Sequence, residues 1–182
     1  RTMLEILKQI EEEIHGVLAK VKEDDIERFL AEIAPNRRIF VDGEGRSGFS
    51  AKGFAMRLMH LKYTVYFVGE TITPAVEAGD VFIAVSGSGT SKNVVSDAEK
   101  AKAKGARVLA VTSKPASPLG QCADVVLEIP GTVKGDAGGE RKSIQLLSSL
   151  FDQSLHIVLD AVCLALSRRD HIANEQATAT HW

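Results

Sequence analysis

Two turns hold the residues best suited to chemistry: Gly43-Glu-Gly-Arg-Ser-Gly48 and Ser86-Gly-Ser-Gly-Thr-Ser91. A phosphate group needs several short donors converging on one point; glycines let backbone N–H groups approach closely, and a helix that follows presents its positive end. Ser86, Ser88, Thr90 and Ser91 supply hydroxyls, Gly89 a backbone donor, and Arg46 and Ser47 a guanidinium and a hydroxyl. The same residue types also build plain tight turns and N-caps, and a loop arginine serves as readily in a salt bridge. Gly43, Gly45 and Gly48 spell a dinucleotide G-x-G-x-x-G, but the acid expected ~20 residues on comes late, at Glu70, and Arg46 puts a charge inside the loop. The serine-rich turn lacks P-loop spacing.

For proton transfer, His60 offers an imidazole, a group that ordinarily titrates near neutrality; at the end of an apolar helix it reads equally well as a satisfied core histidine. Arg57 stands three residues earlier on the same helical face. Asp152, His156 and Asp160 recur every four residues and share a face of a long helix. Two carboxylates flanking a histidine invite a metal, yet metal sites recruit ligands from several elements, and a polar stripe at a subunit contact accounts for the same spacing. No metal or cofactor is expected. Cys122 and Cys163 have neither C-x-x-C spacing nor disulfide-scaffold density, which fits a reducing cytoplasm.

The elements that must carry these residues follow from the apolar pattern. Short β-rich runs at 38–42, 64–68, 81–86, 108–112 and 125–129 alternate with helical or turn-rich stretches. Near-continuous apolar strands of this kind imply a parallel sheet covered on both faces, an α/β three-layer αβα sandwich with five strands. Both chemical turns then lie at the carboxyl ends of strands, where open α/β sheets bind ligands. Helices are predicted from Leu4 to Val21, Ile26 to Ile33, Phe49 to Leu61, Asn93 to Lys104 and about Gln145 to Leu166, the last apolar all round. Residues 1–35 read as docking helices, 131–141 as a glycine-rich mobile loop and 168–182 as a polar tail. The 182 residues, 45% apolar, suit one domain over 1–182, and a net charge of −2 without a basic stripe argues against nucleic acid. No run approaches the ~20 apolar residues that cross a bilayer, so a soluble protein is expected.

The two turns, together with Phe54-Ala-Met-Arg-Leu-Met-His-Leu61, Val68-Gly-Glu-Thr-Ile-Thr-Pro74, Ala110-Val-Thr-Ser113 and Ser149-Leu-Phe-Asp-Gln153, resemble the sugar isomerase domain family. The R-L-M-H-L and V-G-E-T-I-T-P runs resemble its 6-phospho-3-hexuloisomerase branch. The resemblance implies a flavodoxin-like parallel sandwich, a homotetramer, a sugar phosphate as the small-molecule partner, and interconversion of 3-hexulose 6-phosphate and fructose 6-phosphate through an enediol. It implies Ser47, Ser86, Ser88 and Ser91 as phosphate and hydroxyl ligands, with Gly89 and Thr90 adding donors and Arg46 neutralising charge. His60 and Asp152 become the candidate acid/base residues, and Glu175, with His171, a tail contact over a neighbouring subunit's site. Glu44 and Glu70 are candidate partners for sugar hydroxyls. The family carries glutamate where this chain has Asp152, one methylene shorter. Two alternatives stand beside this: an isomerase of another phosphosugar, and a non-catalytic sugar-phosphate module of the kind joined to DNA-binding domains, for which the roughly 35 residues before the first strand are too few.

Overall fold

The apolar runs form five parallel strands, β1 (Ile39–Gly43), β2 (Val65–Phe67), β3 (Val81–Val85), β4 (Arg107–Thr112) and β5 (Val125–Glu128), in the order β2-β1-β3-β4-β5. They are seen in a computed structural model that describes residues 2–136 and 142–182. The β-period sorts side chains between two cores: Ile39 and Val41 pack on one face of the sheet, Phe40 on the other. Helices α1 (Met3–Leu18), α2 (Glu23–Glu32), α3 (Gly45–His60) and α6 (Ser149–Arg169) share the first face; α4 (Lys92–Ala103) and the short α5 (Pro118–Cys122) cover the second. The three-layer α/β sandwich expected from the pattern is what forms.

The differences lie at element ends. α1 begins at a capping box, in which Thr2 Oγ1 accepts from Glu5 N and Glu5 accepts from Thr2 N, and it stops at Leu18 rather than Val21. α3 starts at Gly45, four residues before the predicted Phe49, because the glycine-rich turn is itself the first helical turn. A Cβ at Gly48 would lie 2.8 Å from the Gly43 carbonyl oxygen, so glycine is what lets α3 begin this close to β1. α5 escaped prediction; Ser117 caps it by accepting from Gly120 N at 3.2 Å, with Pro118 in its first turn.

α6 starts at Ser149, not Gln145, since residues 142–148 are irregular, and it runs on to Arg169. There the Arg169 guanidinium donates to the carbonyls of Leu30 (2.9 Å) and Ile33 (2.7 Å), satisfying the end of α2. By length and composition α6 could cross a bilayer, but it buries Phe151, Leu155, Leu159 and Leu166 against the sheet and α3 and is a core helix. The tail, read as poorly periodic, contains α7 (Asn174–Thr180), packed on α3 with Thr180 Oγ1 donating to the His60 carbonyl at 2.7 Å. Of the predicted mobile loop, Lys134–Asp136 form a 3-10 turn with Asp136 paired to Lys114; 137–141 lie outside the described residues.

Candidate functional site

β1 and β3 are hydrogen-bonded neighbours with Gly43 level with Val85, yet the chain leaves β1 toward α3 on one face and β3 toward α4 on the other. Such a switch point leaves a crevice beyond the carboxyl ends of the strands. It holds a cleft of about 770 Å³, into which the two glycine-rich turns bring Arg46, Ser47, Ser88, Thr90 and Ser91 and α6 brings Asp152.

Not all the hydroxyls are alike. Ser86 is buried, its Oγ accepting from Gly89 N at 3.1 Å and pairing with Ser91 Oγ at 3.1 Å, so it shapes the turn from beneath. Ser88 Oγ pairs with Thr90 Oγ1 at 2.8 Å on the open side. Gly89 has φ +68°, and a Cβ there would fall 1.9 Å from Ser117 Oγ. Gly89→Ala is therefore expected to destabilise the fold by about 1–3 kcal/mol through overpacking and left-handed strain. Urea denaturation checks this; a variant as stable as the parent would show the turn to be tolerant.

Across the cleft, Arg46 reaches from α3 to α6. Its Nη1 donates to Ser149 Oγ at 2.9 Å and its Nε lies 3.6 Å from Asp152 Oδ2. Burial pushes the Asp152 carboxyl up to about 6, against the opposing pull of Arg46, which leaves it able to take or give a proton near neutrality. Ser47 Oγ donates to the Glu44 carbonyl at 2.9 Å, and Glu44 accepts from Asn93 Nδ2 at 2.8 Å at the cleft rim. Glu70 is exposed in the loop after β2 and does not line this cleft.

His60 lies elsewhere. At about 1.5 Å per residue, the 14 residues from Arg46 put it roughly 20 Å away at the other end of α3. There it is buried beside His181, ring centroids 4.9 Å apart, and its Nε2 has no hydrogen-bond partner. Burial first, then the neighbouring His181 and Arg57, hold its pKa below the usual histidine value, so the ring stays neutral. Glu175 is exposed at the start of α7, the helix packed on α3, and His171 is exposed just before it with φ +55°. The candidate residues thus fall into two groups, at opposite ends of α3.

The Asp152, His156, Asp160 spacing separates on folding. Asp152 turns into the cleft, whereas His156 and Asp160 form an exposed pair at 3.6 Å. Among the described residues no three His, Cys, Asp or Glu side chains converge as metal ligands. The structure also adds residues that sequence reasoning passed over: Lys134 and Gly135 from the 3-10 turn, and Leu146, Leu147, Ser148 and Ser149 ahead of and at the start of α6. Ser148 Oγ accepts from Lys134 N at 3.1 Å, closing that wall. Only the paired serines before an apolar helix were a usable signal.

Residues 32–157 match the SIS domain family model. The chain is 37% identical over 177 residues to the 3-hexulose-6-phosphate isomerase of Bacillus subtilis, covering 97% of this chain and 96% of that one. It is 41% identical over 175 residues to the enzyme of the same name from Mycobacterium gastri, covering 96% and 87%. In three dimensions it superposes with a TM-score of 0.83, at 27% identity and 98% coverage of both chains, on a Methanococcus jannaschii protein for which a 3-hexulose-6-phosphate isomerase function has been inferred.

Proposed function

This chain belongs to the SIS domain family, and we propose that within it the protein is an isomerase interconverting D-arabino-hex-3-ulose 6-phosphate and D-fructose 6-phosphate. The observation that carries the reading is the meeting, in one switch-point cleft, of a hydroxyl-rich turn and a carboxyl raised toward neutrality. Forward reaction requires a base to take the C2 proton of the 3-ulose, giving a 2,3-enediol, and a proton to be returned at C3 while the carbonyl forms at C2. Neither a redox partner nor a net proton is consumed. Ser47, Ser88, Thr90 and Ser91 hold the phosphate, Ser86 and the Gly89 N–H that donates to it keep the turn in shape instead of Gly89 serving as a phosphate donor, and Arg46 offsets charge. Held by that remote handle, the reacting carbons stay aligned to the acid/base groups.

Asp152 and His60 serve as those groups, with His60 supplied by a neighbouring copy in which α7 and His181 shift to free the ring they now bury. Exposed Phe49, Met56 and Met59 run along α3, with Ile157 of α6 beside them, between the two groups of candidate residues. An isologous, antiparallel pairing through this stripe sets each copy's His60 and Glu175 end against the other's Arg46 and Asp152 end. A homotetramer built on that pair, in a reducing cytoplasm, is the assembly proposed. Mixing is the test: Asp152→Ala and His60→Ala oligomers, each inactive, should regain on the order of a quarter of parental sites when co-refolded. No recovery would confine the chemistry to one copy.

Supplying hex-3-ulose 6-phosphate and detecting fructose 6-phosphate tests the activity itself, on the parent and on Asp152→Glu. Turnover in the parent supports the isomerase. Turnover in the glutamate variant alone would mark an impaired relative, and silence in both would favour a binding module or another phosphosugar.

A further inference from the structure

α1 reads as a docking helix, and Ile14, Val17 and Leu18 do pack it onto the core. Its Glu13 does something else. Both carboxylate oxygens are engaged by one short stretch of chain: Oε1 accepts from Ser143 Oγ at 2.8 Å and Gln145 Nε2 at 3.2 Å, and Oε2 from Ile144 N at 3.0 Å. Gln145 Oε1 in turn accepts from Gln153 Nε2 at 2.6 Å, on the residue after Asp152.

That stretch is irregular and leads directly into the cleft wall. Leu146, Leu147 and Ser148 follow it and line the cleft, and Ser149 then accepts from Arg46. Leu147 has φ +49°, a left-handed conformation that is unfavourable for a non-glycine residue and persists only where surrounding contacts impose it. Leu146 and Leu147 are largely exposed, so apolar burial does not impose it. Polar contacts hold it from both sides: the tether to Glu13 before it, and after it Ser149 N donating to the Leu146 carbonyl at 3.0 Å and Lys134 N donating to Ser148 Oγ at 3.1 Å.

We propose that Glu13 is a positioning residue for the substrate cleft: from α1 it holds residues 143–145, and through them the wall formed by Leu146, Leu147 and Ser148. The inference rests on the isomerase reading for its kinetic consequence but not for the tether. Asp152 and the serine turn are themselves carried by α6 and β3, and the tether reaches α6 only as far as Gln153, so releasing the wall removes binding more than chemistry. Losing one charge-assisted hydrogen bond of this kind shifts the equilibrium it holds by roughly tenfold or more, here that between the held and the released wall.

Glu13→Gln tests this, because the amide keeps the size but turns one acceptor into a donor facing Ser143 Oγ, Gln145 Nε2 or Ile144 N–H. Expected are a KM raised about tenfold or more with kcat within about threefold of the parent, a matching loss in fructose 6-phosphate affinity by calorimetry, and faster amide exchange at Ile144. The exposed Glu12→Gln should equal the parent throughout. A Glu13→Gln variant with parental KM and parental exchange overturns the inference, as does one that loses melting temperature and kcat together while KM stays put. If the parent neither turns over nor binds fructose 6-phosphate, the functional reading fails, and amide exchange at Ile144 still decides the tether: unchanged exchange sinks it.

Discussion

Asp152→Asn is expected to lower kcat by about 10²–10⁴-fold, the range in which a positioned acid/base group contributes, while leaving the melting temperature at neutral pH unchanged or higher. The two halves of this result have one cause. Burial holds the folded carboxyl at about 6, above its unfolded value of 3.8. A folded pKa raised in this way contributes stability below about pH 4 that is lost as pH rises through 6, so an uncharged amide relieves a cost at neutral pH. In the parent, kcat/KM should fall on the acid side with a limb near pH 6 as the base becomes protonated, and the Asp152→Asn substitution removes the group that titrates. Arg46→Ala supplies the sign check. Arg46 pulls the Asp152 pKa down, so its removal should move the acid limb to higher pH. A pH–rate profile in which neither substitution matters would take Asp152 out of the proton route.

Asp42→Asn is expected to stabilise the protein by about 2–4 kcal/mol at pH 8, allowing for solvent screening, with no difference from the parent near pH 4. Asp42 ends the stretch of β1 that faces α4. Its Oδ1 accepts from Gly43 N at 3.0 Å, but its buried Oδ2 has no donor to accept from, and the group that faces it is the Asp97 carboxylate on α4. Two neighbouring carboxylates, one buried and one half-buried, cannot both ionise cheaply. Burial, then Asp97, then the nearby Glu44 charge push Asp42 up to about 8, and the Gly43 N–H only partly opposes them. Because the folded pKa exceeds the unfolded one, the parent should lose stability steadily from about pH 4 to pH 8. The amide, which mimics the protonated acid and can donate to Asp97, should not. Urea denaturation across that range reads the effect; two parallel stability curves would show the pair to be fully solvated.

The order of strands and helices was legible because each element carries its own periodicity, and the two chemical turns because glycines and hydroxyls act locally, on the backbone a few residues away. Element ends were less so: α3 starts inside what reads as a loop, since the need for glycine at Gly48 comes from its closeness to Gly43 in space. α5 and α7 are too short for a period to emerge.

What the amino-acid sequence by itself determined is the sheet, its glycine- and hydroxyl-rich turns and a long apolar helix carrying a carboxylate, all matters of local pattern. Which distant groups meet was decided by the tertiary structure alone. Asp152 and His156 share a helix and a spacing, but packing buries one beside Arg46 and leaves the other exposed. Arg46 and His60 share a helix whose rise holds them apart, while Ser149 is 103 residues from Arg46 in the chain and hydrogen-bonded to it. Burial sets the proton affinities of Asp42 and Asp152, and burial is a property of what the rest of the chain places around a side chain, which no local spacing encodes.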